Sequence, residues 1–467
     1  MAVKRPSGPQ GSLIMGNANQ FREDEPKFLL ESVKTYGDLV YFRLANMHTY
    51  LVGHPDLIRE VLVTQSDKFE KAPLDKTILG KFLGNGLLTS DGQFHRRQRR
   101  LAQPAFHSKR IQNYAGVMVD YANRIMDGWQ DEAVMDITHE MMHLTMLIVS
   151  KTLFNADAIT ESGDTAETIS SAMDDFQAVS NRDYQRGFSL PNWVPTADNR
   201  LRNRAATEFN KVMDQIISGR RQTAVNGQVE DTGDLLSMLM LSVDEDGEFM
   251  DDKQLRDEVA TLFAAGHETT SNALSWTWFL LAQHPEVEAK LHAELDSVLA
   301  GHQPTLADLP NLPYTLQVIK EAMRLYPPAW ILNGRLALED AELGGYIVPK
   351  GSTVFVSPYV MHHLPQYFDE PEAFKPERFT PEFEKSLPKF AYMPFGGGAR
   401  VCIGNAFAMM EAQLLLATIA QKYRLALAQT EPVRHKAQIT LIPENGIQMR
   451  VMERETAVSP TAELSFA

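Results

Sequence analysis

Phe395-Gly396-Gly397-Gly398-Ala399-Arg400-Val401-Cys402-Ile403-Gly404 is the stretch on which the reading of this chain turns. It holds the single cysteine of 467 residues. Its glycines let the backbone turn closely and leave amide N–H groups free to point at a sulfur. A helical pattern starts at Ile403, so Cys402 falls near the positive end of a helix dipole, where a thiolate is favoured. Arg400 adds a cation able to hold an anionic group of a ligand. A lone cysteine beside such a turn is usually a small buried core residue. A chance match to the whole Phe-x-x-Gly-x-Arg-x-Cys-x-Gly string, however, is on the order of one in a million per position.

Outward from this loop the text is mainly helical. A helix is expected from Ile403 to about Tyr423, another over Leu312–Tyr326, and a long one from Asp252 to about Ala282. Between about Phe106 and Leu299 apolar residues recur at spacings of three and four. Near the start, Leu39–Leu44 and Thr49–Val52 read as paired strands, and His54-Pro55-Asp56 opens a helix through Val63. A second strand pair is expected around Pro349-Lys350-Gly351, and terminal strands around Gln438–Leu441 and Ile447–Met452. The fold class is mainly α with small β-sheets (α+β). No linker or repeat divides the chain, so residues 1–467 are expected to form one domain.

Composition narrows the function. With 60 acidic and 45 basic side chains, the net charge is −15, which argues against nucleic acid as the main partner. One cysteine makes no internal disulfide, so a reducing cytoplasm is the expected home. No targeting signal or apolar run of about 18–20 residues is present, so no transmembrane segment is expected.

The cysteine string resembles the haem-binding loop of the cytochrome P-450 monooxygenases. The resemblance implies haem b held by the Cys402 thiolate as metal ligand, between a long distal helix and a Cys-bearing proximal loop and helix. Phe395, Gly396 and Gly404 then belong to the cofactor loop, and Ala265 to the distal haem face. Ala265-Gly266-His267-Glu268-Thr269-Thr270 lies in the long helix. Its threonines can bond back to i−4 carbonyls and locally open the helix, and Gly266 removes bulk where a planar cofactor would approach. In the family such an acid–alcohol pair delivers protons to dioxygen, a role that falls on Glu268 and Thr269. Glu321-Ala-Met-Arg324 can pair at i, i+3 on a helix, and with Arg378 in Pro376-Glu-Arg378-Phe379 resembles the family's structural Glu–Arg–Arg network. His95 and Arg99 share a helix face; the family usually has Trp at the first of these positions, and His95 still donates a hydrogen bond. Arg335 and Arg400 are the other expected propionate partners.

The same resemblance supplies the expected substrate wall: Phe82 and Leu87 in the Lys71–Leu88 segment, Phe263 and Ala264, Ala329, Trp330, Ile331 and Leu332, and Leu441 within Thr440–Ile442. Ser189–Pro195, with Trp193, reads as a lid. The implied reaction inserts one oxygen atom from O2 into an apolar substrate, a fatty acid or a terpenoid or steroid skeleton. No flavin or ferredoxin module fits in the remaining length. Electrons are therefore expected from a separate ferredoxin or flavodoxin-type donor with its reductase, and NAD(P)H enters only through that partner. The basic cluster Arg96, Arg97 and Arg100 suits docking of such an acidic carrier, and the protein is expected to be a monomer.

Two other readings remain open. A haem-thiolate protein can be peroxide-driven or non-oxygenating; retention of Glu268 and Thr269 favours ordinary O2 use. His139-Glu140-Met141-Met142-His143 is a literal zinc-peptidase motif, with Glu161 downstream as a third ligand.

Overall fold

A helix that is apolar on every side has to be surrounded by protein, and the longest helical pattern in this chain becomes its central element. The computed structural model describes residues 5–155, 163–222, 229–243 and 247–454. The helices that carry the site are α1 (Pro73–Leu83), α2 (Gly92–Ala102), α3 (Ile137–Phe154), α4 (Gly163–Arg186), α5 (Ala197–Gln222), α6 (Asp252–Gln283), α7 (Pro313–Leu325) and α8 (Asn405–Lys422). The Asp251 side chain caps α6 by accepting from the Gln254 amide at 2.7 Å. At 32 residues α6 is about 48 Å long.

α3 lies tightly against α6. Thr145 Oγ1 donates to the His267 carbonyl at 2.9 Å, and a Cβ added to Gly266 would come within 3.0 Å of Val149 Cγ2. The space left by Gly266 is therefore taken up by the α3–α6 approach. The glycine thus has a packing reason of its own, beside its place in a cavity lining.

The strands are β1 (Leu39–Leu44), β2 (Met47–Val52), β3 (Phe69–Lys71), β4 (Val134–Asp136), β5 (Arg335–Ala337), β6 (Ala341–Leu343), β7 (Tyr346–Val348), β8 (Thr353–Val356), β9 (Tyr423–Leu427), β10 (His435–Ala437), β11 (Leu441–Pro443) and β12 (Gln448–Glu453). The largest sheet runs β1-β2-β8-β5-β3, with β2 and β8 parallel. β1 and β2 pair antiparallel from Leu39↔Val52 to Leu44↔Met47, the pairing expected from the sequence. The strands flanking Pro349-Lys350-Gly351 do not pair with each other: β7 pairs with β6, and β8 lies between β2 and β5. Gly351, at φ +82°, makes the turn that separates them. The terminal strands are also shifted, because Gln438, Ile439 and Thr440 form the connection between β10 and β11.

Two apolar cores result. One is helical and built around α6; the other lies on the sheet and includes Tyr50, Val354 and Trp330. Between the sheet side and the cysteine loop sits a buried polar joint. Glu321 and Arg324, both fully buried on α7, make two parallel hydrogen bonds at 2.8 and 2.9 Å. Arg378 Nε reaches Glu321 Oε1 at 2.9 Å. Arg324 also donates to the carbonyls of His362, Pro371 and Ala373. The joint ties α7 to the irregular segment that runs on to the cysteine loop.

Candidate active site

A cavity of about 970 Å³ opens between the two cores. Its proximal wall is the cysteine loop: Phe395, Gly396, Arg400, Cys402 and Gly404 all line it. The loop's shape depends on its glycines. Gly396 and Gly398 adopt φ values of +70° and +66°, and a Cβ at Gly398 would fall 2.2 Å from the Leu62 carbonyl oxygen. Gly398→Ala therefore combines left-handed strain with a backbone clash and should cost about 2 kcal/mol or more. A thermal melt checks this; an unchanged midpoint would show that the loop relaxes freely.

Cys402 is enclosed by protein, and its open surface faces the cavity. Burial pushes its thiol up, against the lowering effects of a hydrogen bond with the Gly404 backbone and the Arg99 guanidinium. The helix-end stabilisation expected for a thiolate is thus present but smaller than the burial cost when no cation bonds the sulfur. The Cys402 amide donates to the Phe395 carbonyl at 3.0 Å, closing the loop.

The distal wall is α6. Ala264, Ala265, Gly266, Glu268 and Thr269 line the cavity. Thr269 Oγ1 donates to the Ala265 carbonyl at 2.9 Å, the predicted back-bond, yet α6 stays helical throughout. Glu268 is buried and accepts a hydrogen bond from Thr440 Oγ1. Thr440 in turn accepts from Asn272 Nδ2 at 3.1 Å. Burial pushes the Glu268 carboxyl up to about 7, partly offset by the Thr440 hydroxyl. Between the ordinary value of 4.5 and about 7 the folded protein holds a proton that the unfolded chain has released. Stability should therefore fall as pH rises through that window. Glu268→Gln should flatten this part of the profile, checked by melts of both proteins from pH 5 to 8; parallel profiles would contradict it.

One end of the cavity is cationic. Lys71, His95, Arg99, Arg335 and Arg400 all line it. Burial, reinforced by Arg400, pushes Lys71 down to about 6, His95 to about 3 and Arg335 to about 10. Asp91 meets Arg400 and Lys76, while Arg99 and Arg335 spend donors on the carbonyls of Val401 and Asn333. Arg400, itself pushed down by burial and by Arg99, thus depresses its neighbours Arg335, Lys71 and His95, and two further carboxylates would relieve the cluster. A deep chamber, a thiol on one wall and an under-neutralised cationic end fit haem, whose propionates supply those carboxylates.

The expected apolar wall is only partly right. Leu87, Ala264, Ala329, Trp330, Ile331 and Leu332 line the cavity. Phe82, Phe263 and Leu441 do not: they are core residues. Phe82 stacks on Phe176 with ring centroids 4.2 Å apart. Phe263 packs on Phe154 and Phe209, and Leu441 is fully buried, its carbonyl accepting from Trp276 Nε1. Thr440 and Ile439 supply the wall in place of Leu441. α4, which sequence reasoning left out, contributes Met173, Phe176 and Tyr184. Lys71 and Asp75 fall within the Lys71–Leu88 segment expected at the wall but were not singled out as polar lining residues, and most of that segment, expected as a loop, is helix α1. Ser189–Pro195 links α4 to α5, with Trp193 83% exposed.

The zinc motif faces outward on α3. The His139 side chain is 74% exposed, and Glu140 accepts from Trp129 Nε1 at 3.0 Å. Glu161 lies outside the described residues. Among the described residues, no group of three His, Cys, Asp or Glu side chains could hold a metal ion.

The cytochrome P-450 family profile matches residues 6–451. The chain belongs to that family. Cyclooctatin synthase of Streptomyces melanosporofaciens is 39% identical over 437 residues, covering 93% of this chain and 92% of that protein. Cyclooctat-9-en-7-ol 5-monooxygenase of the same organism is 38% identical, covering 86% and 85%. Pentalenene oxygenase of Streptomyces avermitilis is 34% identical over 451 residues, covering 96% and 97%. Among solved structures, retinoic acid bound cyanobacterial CYP120A1 superposes with a TM-score of 0.85 at 23% identity, covering 97% of this chain and all of that one. This cytochrome P-450 is thus an oxidoreductase that uses haem, a cysteine thiolate and O2, with electrons from a redox partner. No described helix is long and apolar enough to cross a membrane.

Proposed function

We propose that Cys402 would hold haem through its thiolate and that the reaction is oxygen insertion into a C–H or C=C bond of a cyclic terpenoid. The observation that carries this reading is the meeting of Cys402, the Glu268–Thr269 pair and the cationic end in one cavity. Haem, when bound, activates O2. The chain's own residues do the rest. Arg99, Arg335, Arg400 and His95 hold the propionates. Glu268, protonated up to about neutral pH, and Thr269 hold the protons that the reaction consumes. Leu87, Ala264 and Ile331 exclude water from the chamber. Glu321, Arg324 and Arg378 keep the cysteine loop in position.

Support for a terpenoid comes from the relatives at 34–39% identity, whose names specify cyclooctat-9-en-7-ol and pentalenene chemistry. We further infer one catalytic domain spanning the chain, working as a cytoplasmic monomer. The exposed arginines Arg96 and Arg100 on α2, with Arg97, would dock an acidic ferredoxin or flavodoxin-type donor.

The test is the carbon monoxide difference spectrum of the reduced protein, followed by a spin-state screen of cyclic terpenes and fatty acids. A strongly red-shifted Soret band and a response to terpenes are expected. A globin-like band would overturn the thiolate assignment, and a response to fatty acids alone would overturn the substrate class.

A further inference from the structure

The cavity lining carries, beside Arg335, a polar pair that the reaction does not use. Asp75 lies in the first turn of α1, Tyr184 near the end of α4, and Asn333 and Gly334 just before β5. All four residues line the cavity. Asp75 Oδ2 accepts from the Gly334 amide at 2.8 Å. Tyr184 and Asn333 side chains also hydrogen-bond the Asp75 carboxyl. Protein encloses both Asp75 and Tyr184, yet each keeps open surface, and that surface faces the cavity.

We propose that Asp75 and Tyr184 form a polar subsite that takes a hydroxyl group on the substrate, so that this enzyme acts on a terpenoid alcohol and not on the bare hydrocarbon. The proposal rests on the reading of the cavity as a haem and terpenoid chamber.

Hydrogen-bond capacity carries the argument. A carboxylate offers about four lone-pair positions. Gly334, Tyr184 and Asn333 use three, which leaves one position on a carboxyl that belongs to the cavity lining. Tyr184 donates its proton to Asp75, which leaves its oxygen able to accept. The pair therefore presents acceptors to a ligand that brings a donor. Leu79, Leu83, Met173 and Phe176, from the same two helices, add apolar surface to the lining, and Asn181, Gln185 and Arg186 of α4 add polar surface beside Tyr184. An acceptor left unmatched in that lining loses its water without compensation. Hydrocarbon binding carries that penalty and alcohol binding does not.

Charge narrows the donor to a neutral one. An ammonium ligand would face Arg335 and, beyond it, Lys71 and Arg400, which interact electrostatically with one another around Asp75. A carboxylate ligand would face Asp75 itself. A hydroxyl meets neither obstacle. Anchored there, the skeleton is fixed at one end, which sets the carbon presented toward Thr269. Its oxygen must come from an earlier step, a hydroxylation or a cyclisation ended by water.

The experiment is an optical titration of the haem-loaded full chain with cedrol and with α-cedrene, a cyclic terpene alcohol and a hydrocarbon of closely similar skeleton. Cedrol should bind at least tenfold more tightly. Asp75→Leu should erase the preference by weakening cedrol alone. Tyr184→Phe keeps the ring and its packing, removes only the hydroxyl, and should shrink the preference at least threefold, so the test does not depend on the Asp75 variant folding. Equal affinities in the wild type, binding of neither probe, or a preference that survives both substitutions would overturn the subsite. The carbon monoxide band, recorded on the same samples, separates the causes. A red-shifted band beside equal affinities removes the subsite and leaves the haem-thiolate reading standing. A missing band removes both.

Discussion

Cys402→Ala should abolish the red-shifted carbon monoxide band and reduce oxygenase turnover by more than about 100-fold, a loss of at least about 2.7 kcal/mol of transition-state stabilisation. The sulfur is the one thiol lining the cavity among the described residues. Its electron donation is what favours O–O cleavage in this family. Alanine removes the sulfur while leaving the cationic end intact, since Arg99, Arg335 and Arg400 take their partners from Val401, Asn333, Ser90 and Asp91. Haem can therefore still be captured by its propionates, and any haem retained should give a band at an ordinary position. The substitution removes the sulfur's hydrogen bond with the Gly404 backbone, two residues on, but the Cys402 amide still bonds to the Phe395 carbonyl and closes the loop. The thermal midpoint without haem should accordingly move little. A variant that keeps both the shifted band and its turnover would show that another group ligates the iron.

What was legible in the sequence follows from how local each signal is. The glycine-rich loop, the capped long helix and the Glu321–Arg324 pair each lie within a few residues of chain, so residue type and spacing determine them. The substrate wall was less legible, because an aromatic on an amphipathic helix can face a neighbouring helix or a cavity with the same periodicity. Phe82 and Phe263 turned to the neighbouring helices, where Phe176 and Phe209 from α4 and α5 close the cluster. Nothing local specifies those pairings, which span more than 50 residues of chain in each case. The link between Glu268 and Thr440 joins positions 172 apart, and a two-residue shift of the terminal hairpin decides that Thr440, not Leu441, reaches the cavity. Lys71 was missed for a different reason. A lysine is expected at the surface, but this one is 4% exposed because the carbonyls of Leu87, Leu88 and Ser90 surround its ammonium.

Arg324→Ala should be the most damaging substitution for folding itself. Its guanidinium is fully buried and makes hydrogen bonds to both oxygens of Glu321 and to three backbone carbonyls. Removing it leaves those three carbonyls without this donor. It also leaves the Glu321 carboxylate, with no exposed surface, to be held by Arg378 and the Lys375 amide alone. Breaking a buried pair from one side costs about 3–5 kcal/mol, against a typical total stability of about 5–15 kcal/mol. The segment released leads directly to the cysteine loop, so haem retention should fall together with stability. Folded yield and the thermal midpoint of the haem-free chain read the first effect, and the ratio of bound haem to protein reads the second. Arg324→Lys keeps a charge but cannot make the two-pronged contact with Glu321 while also reaching His362, Pro371 and Ala373, so it should recover only part of the loss. Full recovery by lysine would mean that charge alone, and not the fixed fork of donors, holds the joint. A wild-type melt in the alanine variant would mean that the network contributes little and that the loop is positioned by its glycines and by α8.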